Sequence, residues 1–312
     1  MEGDGRWFFV PFSSVEETWN ALVSAGYIPD QEIATVIYLS EKLKRPILVE
    51  GPAGVGKTYL ATALHRATSR PLIRLQCYEG LDESKSIYEW EYAKQLLYTQ
   101  ILREKIGEVL EGSETLKEAF DRISRYENLF FHERFLLKRP LLQAITSPEG
   151  AVLLIDEVDK ADPEFEAFLL EVLDGFQISI PELGTYKAQV VPYVILTSNQ
   201  TRELSDALRR RCLHLSLKYP DPEREKEILR LHIPDLLEEL NDRIVSFLEE
   251  VRKLPLRHYP SISEAIDWAK SLLLLGHTLG NGDKEIPALS SLLKFPEDRK
   301  LVREKIGFFT PR

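Results

Sequence analysis

The 312-residue chain holds two cysteines, Cys77 and Cys212, one methionine and little asparagine. Two thiols so far apart argue against a disulfide framework and fit small buried apolar residues better. No histidine and cysteine cluster has the spacing of a metal site. No apolar run approaches the roughly 18 residues of a membrane-spanning helix. The N-terminus, Met1-Glu2-Gly3-Asp4-Gly5, is acidic and lacks the basic start of a signal peptide, so a cytoplasmic location is expected. There are no internal repeats and no low-complexity tract. Positive charge is also short: the net charge of −10 argues against nonspecific nucleic-acid binding as the main task. What remains is a soluble globular composition, 44% hydrophobic and 29% charged, long enough for two domains. Its wealth of Glu, Lys and Arg leans toward a thermophilic source.

The chain is organised around one stretch, Glu50-Gly51-Pro52-Ala53-Gly54-Val55-Gly56-Lys57-Thr58. It follows the short apolar run Pro46–Val49 and opens a helical pattern from Tyr59 to Leu64. Strand, glycine-rich turn and helix in that order make a P-loop. Gly51, Gly54 and Gly56 let backbone approach a phosphate, and the helix N-terminus adds positive potential. Lys57 is expected on the β- and γ-phosphates of ATP, and the Thr58 hydroxyl on Mg²⁺. Nucleotide contact is assigned to the whole run Gly51, Pro52, Ala53, Gly54, Val55, Gly56, Lys57, Thr58 and Tyr59.

A second anchor is Ala151–Glu157, five apolar residues ending in two acids. Such a run fits a parallel strand buried on both faces, with its C-terminal acids on the ligand edge of the sheet. Asp156 is expected to hold Mg²⁺ and Glu157 to activate the attacking water. A third apolar run, Tyr193–Asn199, brings Asn199 to the same edge, where it would orient water. Asp206–Cys212 contains three consecutive arginines. They either neutralise a helix C-terminus or present an arginine finger to a neighbouring subunit.

Elsewhere, residues 1–30 read as an N-terminal extension, and Asp30 as the N-cap of a helix from Gln31 to Leu43. Tyr27 and Ile28 either flank a purine base or pack. The segment 79–128 reads as a helical insert, which contacts a partner or merely elaborates the fold, and helical periodicity returns from Phe131 to Thr146. Phe165, Phe168, Leu169, Val172, Leu173 and Phe176 give one buried helical face. A Gly-centred turn suggests a β-hairpin over 177–190. Pro220 and Pro222 mark a hinge at the boundary of an α/β domain, 31–218, and a helical region, 219–312. That region contains a capping box, Ser261–Glu264, and ends in a short helical tail.

With these motifs in place the chain resembles AAA+ ATPases, and among them the MoxR family. The likeness covers residues ~30 to ~275, since such boundaries are uncertain by a few residues. It rests on Gly51–Thr58 as Walker A, Leu153–Glu157 as Walker B, Asn199 as sensor 1 and Ala207–Arg211 as the finger region. The runs Ile155–Ala161, Phe165–Glu171, Pro181–Thr185 and Leu196–Leu204 look like the branch similar to the carbon monoxide dehydrogenase maturation ATPase. The resemblance implies a P-loop NTPase fold, a parallel sheet with helices on both faces followed by a small all-helical lid. It implies a ring, usually a hexamer, with ATP at subunit interfaces. It also implies a chaperone-like role in assembling metalloenzymes, often with a von Willebrand factor A-domain partner. Aligned by Ala207-Leu208 the finger is Arg211, with Arg210 the rival. Where many AAA+ proteins carry a sensor 2 arginine, this chain has Ser261-Ile262-Ser263-Glu264-Ala265, and Arg257 upstream is the available substitute. The rival functions are an AAA+ nucleic-acid motor of a restriction-type system and a nucleotide-gated scaffold.

Overall fold

A computed structural model of the protein describes residues 12–101, 115, 132–275, 286 and 288–306. Helices α1 (Val15–Ser24) and α2 (Gln31–Leu43) precede β1 (Ile47–Glu50), which leads through the glycine-rich loop into α3 (Lys57–Thr68) and β2 (Leu72–Gln76). Then come α4 (Glu83–Ser86), β3 (Tyr88–Trp90), α5 (Tyr92–Ile101), β4 (Leu136–Lys138) and α6 (Pro140–Ile145). They are followed by β5 (Val152–Asp156), α7 (Pro163–Gly175), β6 (Gln177–Ile180), β7 (Gly184–Lys187), β8 (Tyr193–Ser198), α8 (Asp206–Arg211) and β9 (Leu213–Ser216). The helical region has α9 (Pro222–His232), α10 (Glu238–Arg252), α11 (Ile262–Leu274), α12 (Leu289–Leu292) and α13 (Pro296–Lys305).

The central sheet is parallel, in the order β2-β5-β8-β1-β9. Its apolar runs lack alternation because both faces are covered. On β5, Leu153 and Ile155 point into one core and Val152 and Leu154 into the other. On β8, Val194 and Leu196 are split from Tyr193 and Ile195 in the same way. Helices α6, α7 and α8 cover the first face, and α1, α2 and α3 the second. A single truncation there, such as Leu154→Ala, would cost about 2–5 kcal/mol. The register sets Glu50 beside Ser198 and Gln76 beside Asp156, so the strands end together on one edge.

Several expectations are corrected. The sequence reading assigns no element before Gln31, yet α1 is present, capped by Ser14, with Thr18 and Leu22 at i, i+4 spacing buried in the second core. Residues 88–90 are strand rather than helical insert; β3 pairs antiparallel with β4, and the stretch 131–146 breaks into a 3₁₀ turn (Glu133–Phe135), β4 and α6. Apolar residues in short adjacent elements imitate a helical period. The rest of the supposed insert, 102–114 and 116–128, lies outside the described residues. The final residues are more than a tail: Leu289, Leu292, Leu293 and Val302 join the core of the helical region around Trp268 and Phe247. The β6–β7 pair forms an antiparallel hairpin. Asp30 caps α2 by accepting from the Ile33 N–H.

Candidate nucleotide site

The loop between β1 and α3 is closed on one side by the Leu217 backbone and on the other by the Ser261 side chain. A Cβ on Gly51 would lie 2.2 Å from the Leu217 carbonyl oxygen. A Cβ on Gly54 would lie 2.0 Å from Ser261 Cβ, at a φ of +77°. Lys57 is buried, and its ammonium donates to the carbonyls of Gly51 and Pro52 and to Asn199 Oδ1, each at 2.7 Å. Burial pushes its pKa down, against the upward pull of Asp159, Asp156 and Glu157.

Thr58 Oγ1 donates to Asp156 at 3.2 Å. Thr197 Oγ1 donates to the same carboxylate oxygen at 2.5 Å and accepts from the Glu157 N–H at 2.9 Å. That bond holds Glu157 in the left-handed region, φ +57°, a conformation that costs a non-glycine residue about 1–3 kcal/mol. Strain of this kind turns the Glu157 carboxylate toward the cavity instead of along the strand. It accepts from Asn199 Nδ2 at 3.2 Å, Gln76 Nε2 at 2.9 Å and Lys160 Nζ at 2.7 Å. Asp159, itself buried, accepts from the Asn199 N–H at 3.2 Å, and from the Thr201 N–H and hydroxyl at 2.9 and 2.6 Å. Burial acts to raise the Asp159 pKa, but these bonds outweigh it and hold the carboxyl below its usual range. Lys57, Thr58, Asp156, Glu157 and Asn199 thus share one hydrogen-bonded cluster.

This cluster lines a cavity of about 420 Å³ with Ala53, Gly54 and Gly56. A larger cavity of about 580 Å³ lies on the other side of the loop, lined by Tyr27, Ile28, Val55, Tyr59, His232 and Ile266 among others. Tyr59 reaches both. The Tyr27 and Tyr59 rings stack at 6.1 Å, and His232 meets Tyr59 edge-on at 5.5 Å. Burial, then the charges of Lys270 and Arg66, push the His232 pKa down, which favours the uncharged ring beside Tyr59. Tyr27 and Ile28 both line and pack: Tyr27 is buried, and the Ile28 carbonyl accepts from Arg224. Gly51 and Pro52 line neither cavity and act through the carbonyls that hold Lys57.

Helix α11 ends against the loop. Ser261 and Glu264 form its capping box, the Ile262 N–H donates to the Gly54 carbonyl at 3.3 Å, and Ser263 borders both cavities. Arg257 does not serve there; its guanidinium stacks over Phe295 at 4.7 Å, inside the helical region. Among the described residues no helix is long and apolar enough to cross a membrane, and no His/Cys/Asp/Glu group is built to hold a metal alone. The residues present fit a metal held jointly with phosphate: a hydroxyl and a carboxylate facing each other at one end of a glycine cradle, with an ammonium at its floor.

Residues 46–212 match the AAA domain of the dynein-related subfamily. The chain belongs to that family. It is 27% identical over 219 residues to the gas vesicle ATPase GvpN of Haloferax mediterranei, covering 67% of this chain and 57% of that protein's length. It is 26% identical over 250 residues to gas vesicle ATPase GvpN1 of Halobacterium salinarum, covering 74% of this chain and 66% of the relative. An uncharacterized protein of Staphylococcus haemolyticus is 27% identical over 218 residues, covering 68% and 70%. The chain thus spans little more than half the length of the Haloferax relative.

The three consecutive arginines Arg209, Arg210 and Arg211 sit on α8 and line neither cavity. Arg209 forks onto buried Glu50, at 2.6 and 3.3 Å, one residue before the P-loop. Arg211 pairs with exposed Asp174 at 2.8 Å. Arg210 is exposed, with no side-chain partner among the described residues. Arg45 clamps the end of α8 from below, donating to the carbonyls of Arg211 at 3.0 Å, Cys212 at 3.1 Å, and Arg210. Both cysteines are free and buried, and burial pushes each thiol up to about 12. Sequence reasoning missed Arg74, Gln76, Thr197 and Asp159. Gln76 ends β2 and Thr197 lies one residue from the end of β8, both beside β5, so strand register was the signal that marked them.

Proposed function

We propose that the chain is a magnesium-dependent ATPase of the MoxR type, converting ATP and water to ADP and phosphate, and that it works in a ring, the hexamer that the family resemblance implies. The observation that carries the reading is the single cluster of Lys57, Thr58, Asp156, Glu157 and Asn199 on the common edge of β1, β5 and β8. Lys57 takes the β- and γ-phosphates, exchanging the loop carbonyls for phosphate oxygens. Thr58 and Asp156 hold Mg²⁺, which when bound neutralises phosphate charge. Glu157 accepts the proton of the attacking water, and Asn199, already within reach of Glu157 and Lys57, orients that water. The cavity walled by Tyr27, Tyr59, His232 and Ile266 takes the base.

Of the two finger candidates, Arg210 is exposed and has no side-chain partner among the described residues, while Arg211 is drawn to Asp174 on its own chain; Arg210 is the better placed for a neighbour's γ-phosphate. The free energy of hydrolysis is spent on a protein client. Relatives named as gas vesicle ATPases and the net charge of −10 support a protein target over nucleic acid. Resemblance to the carbon monoxide dehydrogenase maturation branch suggests a metalloenzyme client and a von Willebrand factor A-domain partner. Glu157→Gln tests the chemistry. It should bind Mg·ATP with near-normal affinity and turn it over about 10²–10⁴-fold more slowly. Proteins retained by that trapped form identify the client. Unchanged turnover would remove Glu157 from the reaction.

A further inference from the structure

One charged side chain in the phosphate cavity has no part in the scheme above. Arg74 lies mid-way along β2, the edge strand of the sheet, on the face it shares with Leu72 and Gln76. That face turns toward α3, and Leu72 belongs to the core there. An apolar side chain would suit position 74. Instead the guanidinium extends to the sheet edge, where Nη2 lies 2.5 Å from Asp156 Oδ2 and 2.8 Å from Gln76 Oε1. The other oxygen of Asp156 receives Thr197 and Thr58. The Asp156 side chain is only 5% exposed, so without a cation its charge would be buried and uncompensated.

We propose that Arg74 is the resident counter-ion of the magnesium site: it neutralises Asp156 while no metal is bound, and Mg²⁺ arriving with the nucleotide displaces it. The proposal rests on the ATPase reading of the same cavity. Two features make the exchange feasible. The Arg74 side chain is 54% exposed, so the released guanidinium is readily solvated. The divalent ion then supplies the compensation that Arg74 gives up. The consequence is a threshold: nucleotide binding responds to Mg²⁺ only once the ion outcompetes the protein's own cation.

The test is binding of a fluorescent, non-hydrolysable ATP analogue to the full chain, in EDTA and across a Mg²⁺ titration. Arg74→Met should act in opposite directions in the two conditions. Without metal, the bare Asp156 charge faces the triphosphate and affinity should fall about three- to tenfold. With metal, nothing must be displaced, and the Mg²⁺ concentration for half-maximal binding should fall by a similar factor. Arg74→Lys, a shorter point charge, should lie between the wild type and Arg74→Met. A general loss of structure would weaken binding in both conditions, and the thermal midpoint reads it out separately. If Arg74→Met melts normally but needs more Mg²⁺ than the wild type, Arg74 contacts phosphate and the counter-ion role is overturned. If it behaves as the wild type in both conditions, the pair with Asp156 carries no weight and the proposal also fails. Failure of the wild type to bind the analogue under either condition would instead overturn the ATPase reading itself.

Discussion

The two walls of the nucleotide cleft are built differently. The α/β body contributes polar groups that are held by several partners: Asn199 by Lys57, Glu157 and Asp159, and Asp156 by Thr58, Thr197 and Arg74. The helical region contributes Ile266 and His232 at the base end and a capped helix start, Ser261–Glu264, at the phosphate end. Near that helix start, Arg257 is turned inward onto Phe295 and Arg252 is paired with Glu225. The difference assigns chemistry to the body, where pre-set hydrogen bonds need no rearrangement during reaction.

The cation that completes the γ-phosphate environment decides whether this division holds. If it comes from the body of a neighbouring subunit, Arg210→Ala should bind ATP almost normally and hydrolyse it about 10³-fold more slowly, the usual scale of an arginine finger. Mixing Arg210→Ala with Lys57→Ala should restore part of the activity, since a mixed interface can pair an intact loop with an intact arginine. Native mass spectrometry confirms that mixed assemblies form. A silent Arg210→Ala beside an inactive Arg211→Ala would move the finger by one residue and cost Arg211 its bond to Asp174 in the working state. An Arg257→Ala variant as inactive as either would break the comparison, because the helical region would then supply catalytic charge.

A smaller effect tests the contact between the walls. Gly54→Ala sets a methyl 2.0 Å from Ser261 Cβ, so the start of α11 must move away from the loop. Nucleotide affinity should drop roughly ten- to hundredfold, combining that displacement with the strain of a positive φ. Ser261→Gly in the same chain removes the opposing Cβ. Glycine at an N-cap costs only a few tenths of a kcal/mol, so the double variant should recover part of the loss. No recovery would place the damage in the loop alone.

The same difference explains what the sequence made legible. The body announces itself because its site residues sit at strand ends or just after one: Asp-Glu and Asn close apolar runs, and a glycine-rich loop after β1 leads to Lys-Thr at the start of α3, a pattern legible without knowledge of the fold. The supporting residues are hidden for the opposite reason. Thr197 lies within an apolar run, Gln76 closes a strand whose neighbour is 80 residues away in sequence, and both acquire meaning only from the register that sets β2 and β8 beside β5. Segment 79–146 misled because β3 and β4 are three residues each and pair across a long separation, so their alternation is too short to register. The lid-like region showed its capping box, a local signal, but not that Ser261 abuts Gly54, which no local pattern encodes.

The smallest effect concerns whether the body wall is held by its own bonds. Asp159 touches neither cavity, yet it accepts from the Asn199 N–H and twice from Thr201, and so fixes the end of β8. Asp159→Asn keeps the shape but points an amide donor at one of these donors. It should destabilise the protein by about 1–2 kcal/mol at neutral pH and slow hydrolysis only severalfold. The pH dependence identifies the cause. Because the folded-state pKa of Asp159 lies below its ordinary value of 3.8, the charged carboxylate contributes stability above about pH 4 that is lost as the pH falls through the folded value. The gap in thermal midpoint between wild type and Asp159→Asn should therefore be full at pH 7, still present at pH 5, and narrow as the pH drops below 4. A gap that stays constant down to pH 3 would mean that packing, not the charged hydrogen bonds, holds Asn199 at the edge of the sheet.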